Sequence, residues 1–306
     1  MKYFYVITLL FATTYVLLIS SCNNQQDKSG DLSWNTVQDT TQRVAIIEGG
    51  LQGPEAVQYD GEQDLYFVSN FNGPSNAPDS NAFISRVQPD GTIDSLKFMT
   101  GTAEAPFHSG RGMFIMGDTL FVADLNGVHG FNRHTGRHLS FTDLSSFEPG
   151  FVNDIAAGPE GALYVTDTGK PQLYRLSGKR ATIAVDSLPQ VSNGIIYDEK
   201  NKRLVMAPWG EAHTFLTWDP VNEIQGEAGR GVGGNYDGIE FVGNNFIVSS
   251  QADSSMQVVK DGKAAVFAKL PGRPADIGLD TKRNRVMVPY VALNRVDIWA
   301  LPDDKN

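Results

Sequence analysis

One outline recurs along this 306-residue chain and leaves few folds open to it. In FVNDIAAGPEGALYVTDT, from Phe151 to Thr168, the polar pair Asn153 and Asp154 heads a short apolar run, a Gly-Pro-Glu-Gly turn follows, and an alternating strand returns to Asp167. The outline comes back in SNGIIYDEKNKRLVMAP from Ser192, YDGIEFVGNNFIVSSQ from Tyr236 and ADIGLDTKRNRVMVPY from Ala275. Asn153, Asn193, Asp237 and Asp276 therefore stand 40, 44 and 39 residues apart. One such hairpin cannot bury its own apolar face, and a period of roughly 40 to 50 residues made of short strands is the pattern of a β-propeller.

Two further units precede these four. PEAVQYDGEQDLYFVSN starts at Pro54 and continues in FISRVQPDGTIDSLKF, and RGMFIMGDTLFVADLNGVHGFNRHTGRHLSF starts at Arg111. In each of the six an inner apolar strand turns through Gly, Asp or Asn into a second strand. The 31 glycines and 15 prolines, without a long stretch of 3.6-residue periodicity, agree with many strands joined by turns. A ring of sheets exposes an unpaired edge unless something closes it. Arg43 to Ile47 has no partner in the first unit, and NRVDIWAL, 294–301, ends the last unit one strand short. The expectation is an all-β, six-bladed β-propeller over 42–302, closed by pairing Arg43 to Ile47 with Asp297 to Leu301, and followed by a tail at 303–306.

The start of the chain has a different character. Residues 4–19 are almost wholly apolar, follow Lys2, and end in Ile-Ser-Ser before Cys22, the only cysteine. A short apolar run with a small-residue exit reads as a secretory signal, 1–21, rather than a transmembrane helix. Ile-Ser-Ser-Cys resembles the bacterial lipobox, in which the cysteine is lipidated; an ordinary signal peptide or an uncleaved anchor is the alternative. Residues 22–41 then form a polar, flexible tether. These features predict a lipoprotein of the bacterial cell envelope, at the outer membrane or facing the periplasm, that meets the membrane through its lipid anchor only. Without another cysteine the domain has no disulfide and no thiolate metal site. A formal net charge of −10 repels phosphate backbones, so nucleic acid is not expected as a partner, while cations are welcome.

Six-fold repetition brings the strand heads around one axis. They are Glu55, Arg111, Asn153, Asn193, Asp237 and Asp276, with Asn70, Asp124, Asp167, His213 and Asp253 at the second-strand ends and Trp209 close by. Glu55, Asn153, Asn193 and Asp237 offer only oxygen donors, two anionic and two neutral, which suits a hard divalent cation, foremost Ca2+, over zinc. Taken singly, an Asn or Asp at a strand head can equally serve local backbone groups. Arg111 either grips a substrate carboxylate or pairs with Asp124 or Glu55 in the channel wall. GRGVGG at 229–234 has the letters of a dinucleotide loop but neither follows a clear strand nor opens a helix. No G-x-S-x-G or H-E-x-x-H occurs. His129, His134 and His138 read as solvated surface of the second unit.

The repeat, with VNDIAAGPEGALYVTDT, SNGIIYDEKNKRLVMA and YDGIEFV, resembles the senescence-marker-protein, gluconolactonase and luciferin-regenerating-enzyme family, with a further likeness to paraoxonases in Val-Asn-Asp-Ile. The resemblance spans about 43–301 and implies a six-bladed propeller dependent on calcium or another divalent metal, many of whose members are lactonases or esterases. It implies Glu55, Asn193 and Asp237 as metal ligands and Asn153 as a residue at the metal or the substrate. Two positions depart from the family. Phe151 stands where sugar-lactone members carry an arginine, which argues against an aldonolactone, and Glu55 follows Pro54 instead of preceding the Gly-Pro pair. His108 lies near the place of a paraoxonase catalytic histidine, with Asp124 where its partner is expected.

The expected function is a divalent-metal-dependent hydrolysis of a small-molecule lactone or ester. Asp237 or His108 would take a proton from the attacking water. Arg111, Asp124, Asn153, Trp209 and His213 would meet the substrate, and Phe107, Phe151 and Trp209 would supply an apolar wall. The rival reading is a non-catalytic, lipid-anchored propeller that binds a small ligand or a partner protein, with a structural metal or none. In either case a monomer is expected.

Overall fold

The computed structural model describes residues 43–302, so the leader, Cys22, the tether and the tail at 303–306 lie outside the described residues. Among those described there are 24 strands, three single-turn 3-10 segments and no α-helix. The strands form antiparallel meanders at 54–100, 113–143, 152–185, 192–230 and 236–269, and a last one at 278–300. The fourth and fifth of these are joined into one eight-stranded sheet by a single parallel pairing, Arg230 with Lys263. The last is completed from the other end of the chain: Arg43–Ile47 lies antiparallel to Arg295–Ala300, with Ile47 opposite Val296 and Arg43 opposite Trp299.

Each meander is covered on both faces by its neighbours, which explains why the inner strands read as apolar runs instead of alternating. Phe67, Ile84 and Met99 of the first pack on Leu120, Val122 and Phe131 of the second. Val68 and Tyr66 of the same first meander pack on Met287, Val296 and Ile298 of the last, and Ile47 joins them. Equivalent layers fill the boundary between the third and fourth meanders around Tyr164, Leu204 and Trp218, and that between the fifth and last around Met256, Val286 and Trp299. Burying each such side chain contributes about 1.5–3 kcal/mol. The first strands of consecutive meanders lie side by side, and the cycle returns from Gly278–Asp280 to Pro54–Asp60.

Aspartates set the turns out of several first strands. Asp60 accepts the N–H groups of Glu62 and Gln63, each at 3.0 Å, and Asp280 accepts those of Lys282 and Arg283, also at 3.0 Å. Asp198 does the same for Asn201 at 3.1 Å. A carboxylate that binds backbone two or three residues on fixes a tight reversal, which is why YDGEQD, YDEKNK and LDTKRN recur in the sequence.

Candidate functional site

The strand heads owe their aim to a repeated defect in the sheet. In the first meander Pro54 pairs with Asn70, but the next pair is Val57 with Val68. The third shifts in the same way between Val152–Asp167 and Ile155–Val165, the fourth between Ser192–Pro208 and Ile195–Met206, and the fifth between Tyr236–Ser250 and Ile239–Val248. Three steps on one strand oppose two on its partner, which is a β-bulge, a device that redirects a side chain. The residues caught in the four bulges are Glu55–Ala56, Asn153–Asp154, Asn193–Gly194 and Asp237–Gly238.

A bulge leaves a backbone N–H without a ladder partner, and a hydroxyl on the second strand takes it. Ser69 Oγ accepts Ala56 N at 2.9 Å, Thr166 Oγ1 accepts Asp154 N at 3.1 Å, and Ser249 Oγ accepts Gly238 N at 3.0 Å. Thr166 and Ser249 then donate to the next meander, at Asn193 O (2.6 Å) and Ala275 O (2.9 Å). Backbones come close here, and only glycine leaves room. A Cβ on Gly194 would lie 2.0 Å from Asp237 O, and one on Gly238 2.1 Å from Ile277 N.

Three side-chain oxygens at these heads, Glu55 Oε2, Asn193 Oδ1 and Asp237 Oδ1, are buried and have no hydrogen-bond partner among the described residues. An unsatisfied buried acceptor costs about 1–3 kcal/mol, and more if charged. Asn153 donates its Nδ2 to Thr168 Oγ1 at 2.9 Å, which leaves its Oδ1 for another use. Burial pushes the Glu55 carboxyl well above the ordinary range, Asp237 adds to the push, and Arg111 opposes it. Burial also raises Asp237 to about 7, against Gln251, Asn193 and Arg273, which favour its charged form. Among the described residues no three His, Cys, Asp or Glu side chains converge as a metal site. Two carboxylates and two amides nevertheless fit a hard, oxygen-seeking ion, and the unpaired oxygens are the atoms such an ion needs.

Three of these heads open into a cavity of about 450 Å³, and Asn193 lies outside its lining. Glu55, Asn153 and Asp237 line it with Ser75, Thr168 and Gln251, while Phe71, Phe151, Trp209 and Val291 form an apolar side. Its size and mixed lining suit a small molecule. Phe71, Thr168, Trp209, Gln251 and Val291 each stand just past the end of a second strand, a place that the repeat also marks, whereas Ser75 comes from the loop between Asn70 and Phe83, outside the repeated outline. On another part of the inner-strand ring a cavity of about 280 Å³ is lined by Asp154, Glu240 and Asp276. Burial, with Asp154 adding to it, raises Glu240 to about 8, and burial raises Asp154 to about 7 although Ile195 N and Ile155 N hold its oxygens at 2.8 and 2.7 Å.

Other expected residues have different tasks. Arg111 is fully buried and donates to Val152 O at 2.7 Å and Ser75 O at 2.6 Å, with its guanidinium carbon 3.6 Å above the Phe151 ring. Arg111 thus backs the pocket wall from behind. Asp124 is also fully buried and its oxygens accept Ser109 N (2.7 Å), Leu125 N (2.8 Å), His108 N (3.0 Å) and His129 Nε2 (3.2 Å). Burial works to raise its carboxyl, but His129 and these N–H groups outweigh it and hold it below the usual range. The other second-strand ends behave alike: Asn70 accepts Gln52 N at 2.9 Å, and Asp167 accepts Phe151 N at 2.7 Å. These residues pin the loops that lead into the first strands, so they position the site without entering it.

His108 turns its Nδ1 to Ser80 N at 3.1 Å and does not line the pocket. Trp209 does line it; His213 does not, and its Nδ1 is buried with no partner among the described residues. Phe107, expected in the wall, is core, wedged against His129 and Phe131. His129, expected at the surface, is fully buried and bonds His138 at 3.0 Å, because the apolar contacts of the second meander close over it.

Antiparallel sheets whose first strands surround an oxygen-lined pocket make this a propeller-like protein. No protein-family model matches the chain, and no curated protein sequence matches it. Among solved structures, a gluconolactonase from Xanthomonas campestris superposes with a TM-score of 0.65 at 16% identity, covering 87% of this chain and 94% of that one. A streptogramin B lyase gives 0.60 at 11%, with 84% and 97% covered. A protein of unknown function from Bacteroides thetaiotaomicron gives 0.62 at 10%, with 83% and 73% covered. At such identities the likeness is one of fold.

Proposed function

We propose that the chain is a six-bladed propeller, closed by Arg43–Ile47, that hydrolyses lactones or related esters with a divalent cation, foremost Ca2+. The observation that carries this reading is the set of buried, unpaired oxygens on Glu55, Asn193 and Asp237 at the strand heads, of which Glu55 and Asp237 line a pocket with an apolar side. With Asn153 these residues hold the cation, which when bound supplies Lewis-acid polarisation of a carbonyl oxygen. Asp237 offers its unpaired Oδ1 as a ligand, and because a carboxylate beside a cation is a weak base, the proton of the attacking water would leave from water acidified at the ion. His108 is left out of this reading because its Nδ1 accepts Ser80 N and it does not line the pocket. Phe71, Phe151, Trp209 and Val291 favour an acyl or aromatic substrate over a polar sugar. Arg111, stacked on Phe151, holds that wall in place. The leader pattern before Cys22 supports a tether to the bacterial envelope.

The test is a panel of lactones and aryl esters assayed with and without chelator, for the wild type and Asp237→Ala. Cation-dependent turnover that Asp237→Ala abolishes supports the proposal. Loss of stability on chelation, with no turnover on any member of the panel, supports the ligand-binding reading in its place.

A further inference from the structure

Asp237 has two oxygens with different surroundings. Oδ1 is buried without a partner among the described residues, whereas Oδ2 accepts Gln251 Nε2 at 2.7 Å. The Gln251 amide can do this in only one of its two orientations. Its other end, Oε1, accepts Arg273 NH2 at 2.8 Å, and a guanidinium has donors only. An exposed arginine on the loop before the last meander thereby dictates which way a pocket amide faces, and the amide dictates which carboxylate oxygen stays free. The charge of Arg273 acts in the same sense, favouring ionised Asp237.

We infer that Gln251 and Arg273 are positioning residues that act as one unit, orienting Asp237 so that a single oxygen is presented to the cation. The inference rests on the cation reading of the pocket. Gln251 immobilises the carboxylate in the geometry the ion needs, and Arg273 keeps the amide from flipping. Partners that orient a ligand in this way are worth about 10–100-fold in metal affinity when lost.

Terbium, a luminescent stand-in for calcium, reads the site directly, because Trp209 lines the same pocket and can sensitise it. Terbium titration and calcium competition would be run on the full chain and on Gln251→Met, Arg273→Met, Arg273→Lys, the Gln251→Met/Arg273→Met double variant and Asp237→Asn. Metal-free thermal midpoints serve as the folding control. The expected result is about tenfold or greater weakening for Gln251→Met, a smaller weakening for Arg273→Met, recovery in Arg273→Lys, and a double variant no weaker than Gln251→Met alone. Strictly additive losses, or Gln251→Met binding as wild type while Asp237→Asn binds nothing, would overturn the inference and leave the cation site standing. If the wild type itself takes up neither ion, the cation site fails and the inference with it.

Discussion

Thr166 and Asn193 are joined by a 2.6 Å hydrogen bond from the threonine hydroxyl to the asparagine carbonyl, and the same hydroxyl accepts Asp154 N. One oxygen therefore ties the bulge of the third meander to the strand head of the fourth, and so sets the spacing between Asn153 and Asn193. Thr166→Val keeps the shape but strands one buried N–H and one buried carbonyl. It should cost about 2–4 kcal/mol, read from the midpoint of urea unfolding, with a weakened response of that midpoint to calcium.

Gly238→Ala should be more severe. The new Cβ would meet Ile277 N at 2.1 Å, and no rotamer relieves a clash with backbone. Loss of about 3 kcal/mol or more is expected, seen as a fall in thermal midpoint or in soluble yield, whereas Gly61→Ala, whose Cβ would meet only Tyr59 Cε1 at an ordinary 3.5 Å, should lose far less.

Two buried carboxyls and the half-buried Glu240 give the cation-free protein a signed pH dependence. Asp154 and Asp237 are raised to about 7 and Glu240 to about 8, so each binds its proton more tightly folded than unfolded. The stability they contribute is present below the ordinary carboxylate range and is lost as pH climbs toward and through about 8. Thermal midpoints measured in chelator should fall between pH 5 and pH 8. Calcium should restore much of the loss at the upper end. Glu240→Gln should flatten the slope in chelator, and an unchanged slope would show that Glu240 does not titrate in this window.

Phe151→Ala removes an apolar pocket surface and uncovers the Arg111 guanidinium that lies 3.6 Å behind it. For an aryl lactone or ester the expected effect is a KM raised about tenfold with kcat little changed, because the ring contributes binding that is equal in ground and transition states. A fall in kcat alone would place Phe151 nearer the reacting atoms than the wall.

Much of the architecture can be read from the chain because the repeat indexes position. Glu55, Asn153, Asn193 and Asp237 recur at the same place in their units, and that place turned out to be the bulge. The pairing of Arg43–Ile47 with Arg295–Ala300 follows from two unsatisfied edges. Asp124 and Asp167 carried the same periodic signal, yet it marked a hydrogen-bonding task at the strand ends, which letters alone do not distinguish from a substrate contact. His108 was placed by its likeness to a paraoxonase histidine and Phe107 was expected in the pocket wall, but the adjacent side chains go apart, one to Ser80 and the other into the core.

The sequence by itself determined the period, the strands, and which side chains stand at the strand heads, since alternation, turn chemistry and glycine placement are local. Only the tertiary structure decided which polar atoms are satisfied. Asp154 and Asp237 are both acidic residues in bulges, but Ile195 N in the next meander takes an oxygen of the first, while Gln251 takes one oxygen of the second and leaves the other bare. Competition for a buried acceptor is settled by whichever donor the fold brings within about 3 Å, and those donors come from other parts of the chain.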